Sequence, residues 1–309
     1  MKPQTGHWAG IQEKGGSFWL GLMLFLYRCG GRYLFRAVLV FVIAWYWLFS
    51  RHARQASLQY LQKLHDWAGA ESPFAQRPGG AASYRHFLAF GNSALDKIAG
   101  WMGDVPAGEL VIHGREHLQA LYGKGALLVG SHFGNLELLR AAMSEVPQAV
   151  NVLVHTRHAE SFNRFLTTLN PKAAVRLIQV TDIGMDGAIL LQERIQAGEW
   201  LVIAADRTPV QSNRMQRTDF LGTSAAFPEG PWRLAALLKC PVLLIFCYRV
   251  NGRHEVHIQP FRTCMQLPRG ARQEALACAT KDYANALEAR CLHAPEQWFN
   301  FYDFWMDAP

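Results

Sequence analysis

The sequence predicts an α/β fold, because apolar strand-like runs alternate with helical segments beyond residue 108. The predicted strands are 126–130, 151–154, 175–180, 200–205 and 242–250. The predicted helices between and after them are 134–144, 159–169, 185–197, 231–238 and 271–292. The strands are almost continuously apolar, which is typical of a sheet that is buried on both faces. We therefore assign 109–309 to one α/β core.

The N-terminal region, 1–50, is predicted to be a membrane-associating helical segment. Its two apolar runs, 18–27 and 37–49, are each shorter than the roughly 20 residues that a spanning helix needs. Extending the second run back to Tyr33 gives 17 residues with one arginine. The apolar pattern is therefore compatible with a spanning helix, an interfacial helix or a buried core helix. No cleaved signal peptide is expected. Aromatic residues crowd the end of the run, as at a bilayer interface.

A helical cap is predicted over 51–108, where an amphipathic pattern is broken by a Pro/Gly-rich stretch at 72–80 and resumes in a helix near 84–102. The whole chain has a formal net charge of +7 and a sequence pI of about 9.2. Because the basic residues are scattered and nucleic-acid signatures are absent, we expect an anionic bilayer and no nucleic acid as the partner. The six cysteines form no CxxC pair, so neither a metal site nor a disulfide framework is expected.

The strongest chemical signal is a histidine and a glutamate that follow the first core strand. His132 and Glu137 lie where a strand ends and a helix begins, which is where open α/β folds place reactive groups. A carboxylate that accepts from one ring nitrogen leaves the other nitrogen free as a base. No serine elbow or neighbouring cysteine offers a nucleophile, so the attacking group would be a substrate hydroxyl. The alternative is a structural histidine at a helix start.

Several sequence blocks occur together in a recognisable order. They are Ser131-His132-Phe133-Gly134-Asn135-Leu136-Glu137, Gly198-Glu199-Trp200, Ala205-Asp206-Arg207, Phe220-Leu221-Gly222-Thr223-Ser224-Ala225-Ala226, Phe227-Pro228-Glu229-Gly230, Gly230-Pro231-Trp232-Arg233-Leu234-Ala235 and Ala294-Pro295-Glu296-Gln297-Trp298. In these blocks the chain resembles the lysophospholipid acyltransferase superfamily, and within it the late lipid A acyltransferases that act on acyl carrier protein thioesters. The resemblance implies a mixed sheet flanked by helices, like that of glycerolipid acyltransferases.

The resemblance also implies roles for individual residues. His132 would be the catalytic base and Glu137 its partner, while Arg157 would steady an oxyanion or bind a phosphate, unless it is an exposed loop arginine. Asp206 would orient active-site groups, or else pair with Arg207 or Arg217.

Two further positions belong to the implied substrate site, together with Arg207. Glu229 matches a block that glycerolipid acyltransferases of the resembled superfamily have near the acceptor phosphate. The alternative is that this glutamate only stabilises the start of a helix, where the positive end of the helix dipole favours a negative charge. Asn135 lies inside the histidine motif and is grouped with the substrate-binding residues.

The C-terminal end departs from the lipid A branch, which continues with basic residues after Pro-Glu-Gln. This chain instead has aromatic residues from Trp298 to Trp305. Fewer arginines weigh against a phosphorylated disaccharide acceptor. The aromatic ending looks like a divergent subgroup associated with aryl polyene lipid or other glycolipid pathways in Gram-negative bacteria.

The function predicted from the sequence is acyl transfer from an acyl carrier protein thioester, or from coenzyme A, to a hydroxyl of a lipid or glycolipid. It would take place at the cytoplasmic face of the bacterial inner membrane, with no metal or prosthetic group. A basic surface would attract both an acidic carrier protein and anionic lipid. The alternatives are a thioesterase in which the same pair activates water, and a membrane scaffold that binds lipid without turnover.

Overall fold

A computed structural model of the chain describes residues 17–102, 110–135, 147–154, 176–179, 184–207 and 214–306. The helices are α1 (Ser17–Phe49), α2 (Arg51–Ala68), α3 (Gly80–Met102), α4 (Arg115–Gln119), α5 (Met185–Gln196), α6 (Gly230–Leu238) and α7 (Arg272–His293), with short 3-10 turns at Gly69–Glu71 and Pro295–Gln297. The strands are β1 (Leu110–His113), β2 (Ala126–Gly130), β3 (Val150–Val154), β4 (Arg176–Gln179), β5 (Trp200–Ala204), β6 (Met215–Phe220), β7 (Thr223–Pro228), β8 (Val242–Val250) and β9 (Arg253–Arg262).

In the described part of the chain, seven strands form one mixed sheet in the order β1-β9-β8-β2-β5-β3-β4. Strands β8, β2, β5, β3 and β4 run parallel to one another, whereas β9 returns antiparallel beside β8 and β1 pairs parallel with β9. The predicted mixed sheet flanked by helices is confirmed. A separate hairpin, β6–β7, turns through Leu221 and Gly222, both at positive φ, as a tight two-residue hairpin requires.

The predicted core strands all appear, with ends that differ by at most one residue. Strands β1, β6, β7 and β9 were not identified from the sequence. Strand β9 alternates buried and partly exposed residues, and β1 has only four residues at the sheet edge, so neither forms the continuous apolar run on which the prediction relied. The predicted helices at 134–144 and 159–169 lie wholly or almost wholly outside the described residues.

The sheet is covered on both faces, and each face has its own apolar cluster. Leu127 and Val129 of β2 face helices α2, α6 and α7, whereas Ala126 and Leu128 face the side that α4 covers. Every residue of β2 is buried, which explains its uninterrupted apolar sequence. The central position of β2 fixes the residues that follow it.

Helix α1 has two apolar stripes with different surroundings. Phe35, Leu39 and Ile43, four residues apart, are buried, and the last two contact the α3 backbone near Gly91. The opposite stripe consists of apolar side chains that face outward (Phe41, Trp45 and Phe49).

Within the described residues no single helix is both long and apolar enough to cross a bilayer. Among the same residues, one pair of helical segments, Leu34–Phe49 and Arg51–Glu71, is long and apolar enough when taken together, but the pair is bent by 94°.

A buried histidine joins the helical cap to the C-terminal segment. His86 of α3 is fully buried; its Nε2 lies 2.9 Å from the Trp298 carbonyl and its Nδ1 3.0 Å from the Ser57 hydroxyl. Since a carbonyl only accepts, Nε2 carries the proton and Nδ1 accepts from Ser57. Burial lowers the pKa of His86 to about 4, despite the hydrogen bond to Trp298. The ring is therefore neutral at pH 7.

We predict that this histidine makes the protein less stable in mild acid. The unfolded chain protonates the ring near pH 6.5 and the folded protein only near pH 4, so the unfolded state binds more protons between these values. The contribution is fully present above pH 6.5 and falls with decreasing pH, by on the order of 3 kcal/mol at pH 4. Urea unfolding at pH 7.5 and pH 5 measures the change.

The matched variants are His86→Gln, which retains a donor toward Trp298, and the exposed control His52→Gln. We expect a shallower loss of stability with falling pH in His86→Gln and a parental slope in His52→Gln. Equal slopes in all three proteins would refute the assignment.

Candidate functional site

His132 and Asp206 follow two neighbouring parallel strands and meet at the same edge of the sheet. Gly130 of β2 lies in register with Ala204 of β5, and each site residue comes two positions later. In two parallel strands, residues that follow a paired position by the same number of residues lie beside each other. The strand register therefore brings His132 next to Asp206. The His132 Nδ1 atom lies 2.8 Å from Asp206 Oδ1.

The Asp206 carboxylate is buried and, among the described residues, accepts from three donors. Besides the His132 ring, the His132 backbone N–H donates to Oδ2 at 2.9 Å and the Trp298 Nε1–H at 3.0 Å. Burial alone would raise the pKa of Asp206, but the His132 ring, the Arg207 guanidinium and the Trp298 donor together hold that pKa below its ordinary value. Asp206 is therefore an ionised, firmly held acceptor at neutral pH.

This carboxylate determines the tautomer of His132. An ionised carboxylate can only accept, so Nδ1 of His132 carries a proton and donates to Asp206. In the neutral ring the lone pair then lies on Nε2. The His132 side chain is 38% exposed while that of Asp206 is 2% exposed, so the ring reaches the surface from a buried support. The arrangement is that of an oriented general base.

The segment that carries His132 is held by the C-terminal chain and by β8. Gly134 N–H donates to the Gln297 carbonyl at 2.7 Å, and Phe299 N–H donates to the His132 carbonyl at 2.9 Å. On the other side, Asn135 N–H donates to the Cys247 carbonyl at 2.7 Å. These backbone hydrogen bonds fix His132 from both sides.

The aromatic residues at the C-terminal end pack inside the protein. Trp298 and Phe304 are buried, and their rings lie 4.9 Å apart next to Phe220. Trp305 stacks on Phe220 with ring centroids 6.0 Å apart. The aromatic composition of this ending is therefore explained by core packing around the Asp206 support.

The chain matches the family model described as "Bacterial lipid A biosynthesis acyltransferase" over residues 92–306, more than two thirds of its length. The chain belongs to this family. The matched range includes both strands that carry His132 and Asp206 and the C-terminal segment that supports them. Membership indicates acyl transfer to a lipid acceptor. Among curated proteins, no match is found.

The other residues that the sequence analysis selected have different positions in this family member. Arg207 lies beside the site, where its Nη2 donates to the Phe299 carbonyl at 3.2 Å. Asn135 is buried, and its side-chain amide donates to the Ser93 carbonyl at 3.1 Å. Glu137 and Arg157 lie outside the described residues, so their roles stay predictions.

Glu229 lies at the N-terminal end of α6 and has partners of its own. Its carboxylate pairs with Arg233 at 2.6 Å and accepts from Gln216 at 2.7 Å. None of its hydrogen bonds or ion pairs in the described part of the chain reaches His132 or Asp206. This geometry matches the helix-start alternative, and a role in acceptor binding remains a prediction.

A cavity of about 370 Å³ lies next to the His132 segment, between α3 and the β8–β9 turn. Gly134 and Asn135 contribute to its wall, together with charged side chains such as Arg85, Asp96 and Arg249. His132 does not line this cavity. The cavity is therefore a polar neighbour of the site.

Trp298 and Gln297 are supporting residues whose functions the sequence analysis did not identify. Trp298 donates to Asp206, and the Gln297 side chain exchanges hydrogen bonds with the Arg249 backbone at 2.6 and 2.8 Å. Both belong to the Pro-Glu-Gln-Trp block that contributed to the resemblance. The block could have pointed to these two residues, but its sequence does not show which buried groups they contact.

We predict that Gly134→Ala disrupts the site. Gly134 has φ of +62°, and a Cβ there would lie 2.0 Å from the Cys247 carbonyl oxygen. The left-handed conformation alone costs a non-glycine residue about 1–3 kcal/mol, and the clash would displace the segment that carries His132. We expect lower unfolding free energy and lower transfer activity. Gly270→Ala, where a Cβ meets nothing within 4 Å, is the control and should match the parent.

Proposed function

We propose that this protein transfers an acyl group from an acyl carrier protein thioester to a hydroxyl of a membrane lipid or glycolipid, with His132 as the general base. The observation that carries the proposal is the hydrogen bond from His132 Nδ1 to the buried, ionised Asp206, which places the basic lone pair of the neutral ring on Nε2. Coenzyme A is the alternative donor. The proposed location is the cytoplasmic face of the bacterial inner membrane.

In the proposed reaction, Nε2 of His132 removes the proton from the acceptor hydroxyl as its oxygen attacks the thioester carbonyl carbon. The resulting tetrahedral intermediate collapses, the carbon–sulfur bond breaks, and the imidazolium returns the proton to the departing thiolate. The products are an acyl ester and a free thiol. Asp206 stabilises the imidazolium while it exists, because its negative charge lies 2.8 Å from the ring.

Asp206 acts through His132 and is therefore a positioning residue. In Asp206→Asn, an oxygen would have to face the two donors of His132 N–H and Trp298 Nε1–H. The amide NH₂ would then face the ring and donate to Nδ1, which moves the ring proton to Nε2 and removes the base. The substitution thus preserves shape while reversing the tautomer.

We predict that His132→Ala and Asp206→Asn each lower kcat by about 10²–10⁴-fold, the usual contribution of general acid–base catalysis. KM should change little and the unfolding temperature of Asp206→Asn should remain near the parental value, which distinguishes a role in chemistry from a structural one. The assay uses labelled acyl carrier protein thioester with bacterial lipid extract, and mass spectrometry identifies the products. Parental kcat in Asp206→Asn would contradict the mechanism.

Two further variants complete this experiment. Asp303→Asn changes a partly exposed acidic residue near the chain end and should behave as the parent. Glu137→Gln tests the second carboxylate: a loss as large as that of Asp206→Asn would show that both carboxylates are needed. Free fatty acid as the sole product would favour a thioesterase, and identical products from the parent and His132→Ala would favour a scaffold.

We also propose that the outward stripe of α1 rests on the membrane. Phe41, Trp45 and Phe49 are 76%, 66% and 66% exposed, and they occupy one face of the helix at four-residue spacing. Exposed aromatic side chains in this arrangement, next to the exposed Arg51, suit the interface of an anionic bilayer. Such an orientation would bring the site to its lipid acceptor.

We predict that replacing Phe41, Trp45 and Phe49 together with glutamine weakens binding to anionic phospholipid vesicles at least about tenfold, since burial of each large apolar side chain contributes about 1.5–3 kcal/mol. Co-sedimentation with vesicles measures binding. The double control Ile189→Gln/Leu237→Gln alters exposed apolar residues elsewhere and should bind as the parent does. Unchanged binding of the triple variant would exclude this stripe.

A further inference from the structure

Two histidines and a glutamate converge at the edge of the sheet that begins with β1. His113, the last residue of β1, pairs directly with His257 of β9, and Glu255 lies two residues before His257. Side chains alternate along a strand and match across a pair, so all three point to one face of the sheet. Their neighbours with the opposite parity, Ile112, Val256 and Ile258, pack into the apolar cluster on the other face.

The atoms offered by these residues are close together. Glu255 Oε2 lies 2.9 Å from His257 Nε2 and 3.5 Å from His113 Nε2. One potential ligand atom from each of the three residues lies within 4.8 Å of the other two. Metal–ligand bonds of about 2.0–2.2 Å in a tetrahedral zinc site place neighbouring ligand atoms roughly 3.3 Å apart. The group therefore has the spacing of a metal site with only a small adjustment of the His113 side chain.

We propose that His113, Glu255 and His257 bind a divalent transition metal ion of the Zn²⁺ type. Two imidazole nitrogens and one carboxylate oxygen form a common three-ligand set, and a fourth position would remain for water or a further ligand. An ion that prefers oxygen ligands alone, such as Mg²⁺, does not suit this set. The cysteine spacings gave no indication of the site, because it uses no cysteine.

The surroundings hold the ligands in place. The His257 ring stacks on Tyr248 with centroids 5.0 Å apart and planes within 3°, and on its other neighbour, His113, at 4.5 Å. Arg290 donates to the Tyr248 hydroxyl and to Gln259, so this nearby guanidinium is engaged by neutral acceptors. His113 is half-exposed, which leaves a path from solvent to the site.

Binding there would fasten a short edge strand. Strand β1 has four residues and pairs with β9 alone within the described sheet. A metal ion that bridges His113 to Glu255 and His257 would cross-link the two strands in the folded state only. Such an ion stabilises the fold by mass action, independently of the acyl transfer proposed above.

The test uses the full chain, purified without a histidine tag and freed of metal by a chelator. Isothermal titration with Zn²⁺ should give one ion per chain, with Mg²⁺ giving no binding, and Zn²⁺ should raise the unfolding temperature. His113→Ala and His257→Ala should each weaken Zn²⁺ binding by more than the roughly 10–100-fold that loss of an outer-shell partner usually costs. The control His52→Ala, at an exposed position on α2, should bind as the parent does.

Cobalt offers a second measurement that reports coordination directly. Co²⁺ bound to imidazole and carboxylate at low coordination number gives strong visible absorption, which should be lost in His113→Ala. The unfolding temperature without metal verifies that each variant is folded, and the half-exposed position of His113 favours tolerance of its replacement. Absence of Zn²⁺ binding by the parent, or binding that both alanine variants retain, would overturn the proposal.

Discussion

The carboxylate of Asp206 is the interaction on which the arrangement of the site depends. It connects β5, which it follows, with the residue that follows β2 and with Trp298 near the chain end. A buried carboxylate without such donors would carry a large desolvation cost, so these hydrogen bonds are needed for the fold as well as for the chemistry. The same contacts that stabilise this charge also orient the His132 ring.

The C-terminal segment acts as a support for that carboxylate. Trp298 is buried against Tyr60 of α2 and Phe220 of β6, with rings 4.9 and 5.2 Å away, and its carbonyl accepts from His86 of α3. Elements from the helical cap, the hairpin and the chain end therefore all contact one indole. This packing explains why the ending is aromatic: the rings fill space around the support of the site.

The centre of the sheet and its β1 edge have different physical characters. The centre, where β2 and β5 lie side by side, is buried on both faces and holds a base in a defined orientation. The edge strand β1 is shorter and more exposed, and polar side chains of β1 and β9 form a separate cluster there. Rigid central strands suit a residue that must be positioned accurately, whereas an edge strand with four residues gains most from any additional cross-link.

The sequence by itself determined the strands that are buried on both faces and the position of His132 after the first of them, because continuous apolar runs and the order of motif blocks are local properties. It also indicated Asp206 as a strand-end carboxylate. Only the tertiary structure decided that Asp206 accepts from the His132 ring, because that contact depends on which strands are neighbours and in what register. The same reason applies to Trp298, which is 92 residues from its partner, and to the His113, Glu255 and His257 cluster. Strand pairing brings such residues together, and the spacing of residues along the sequence does not show which strands pair.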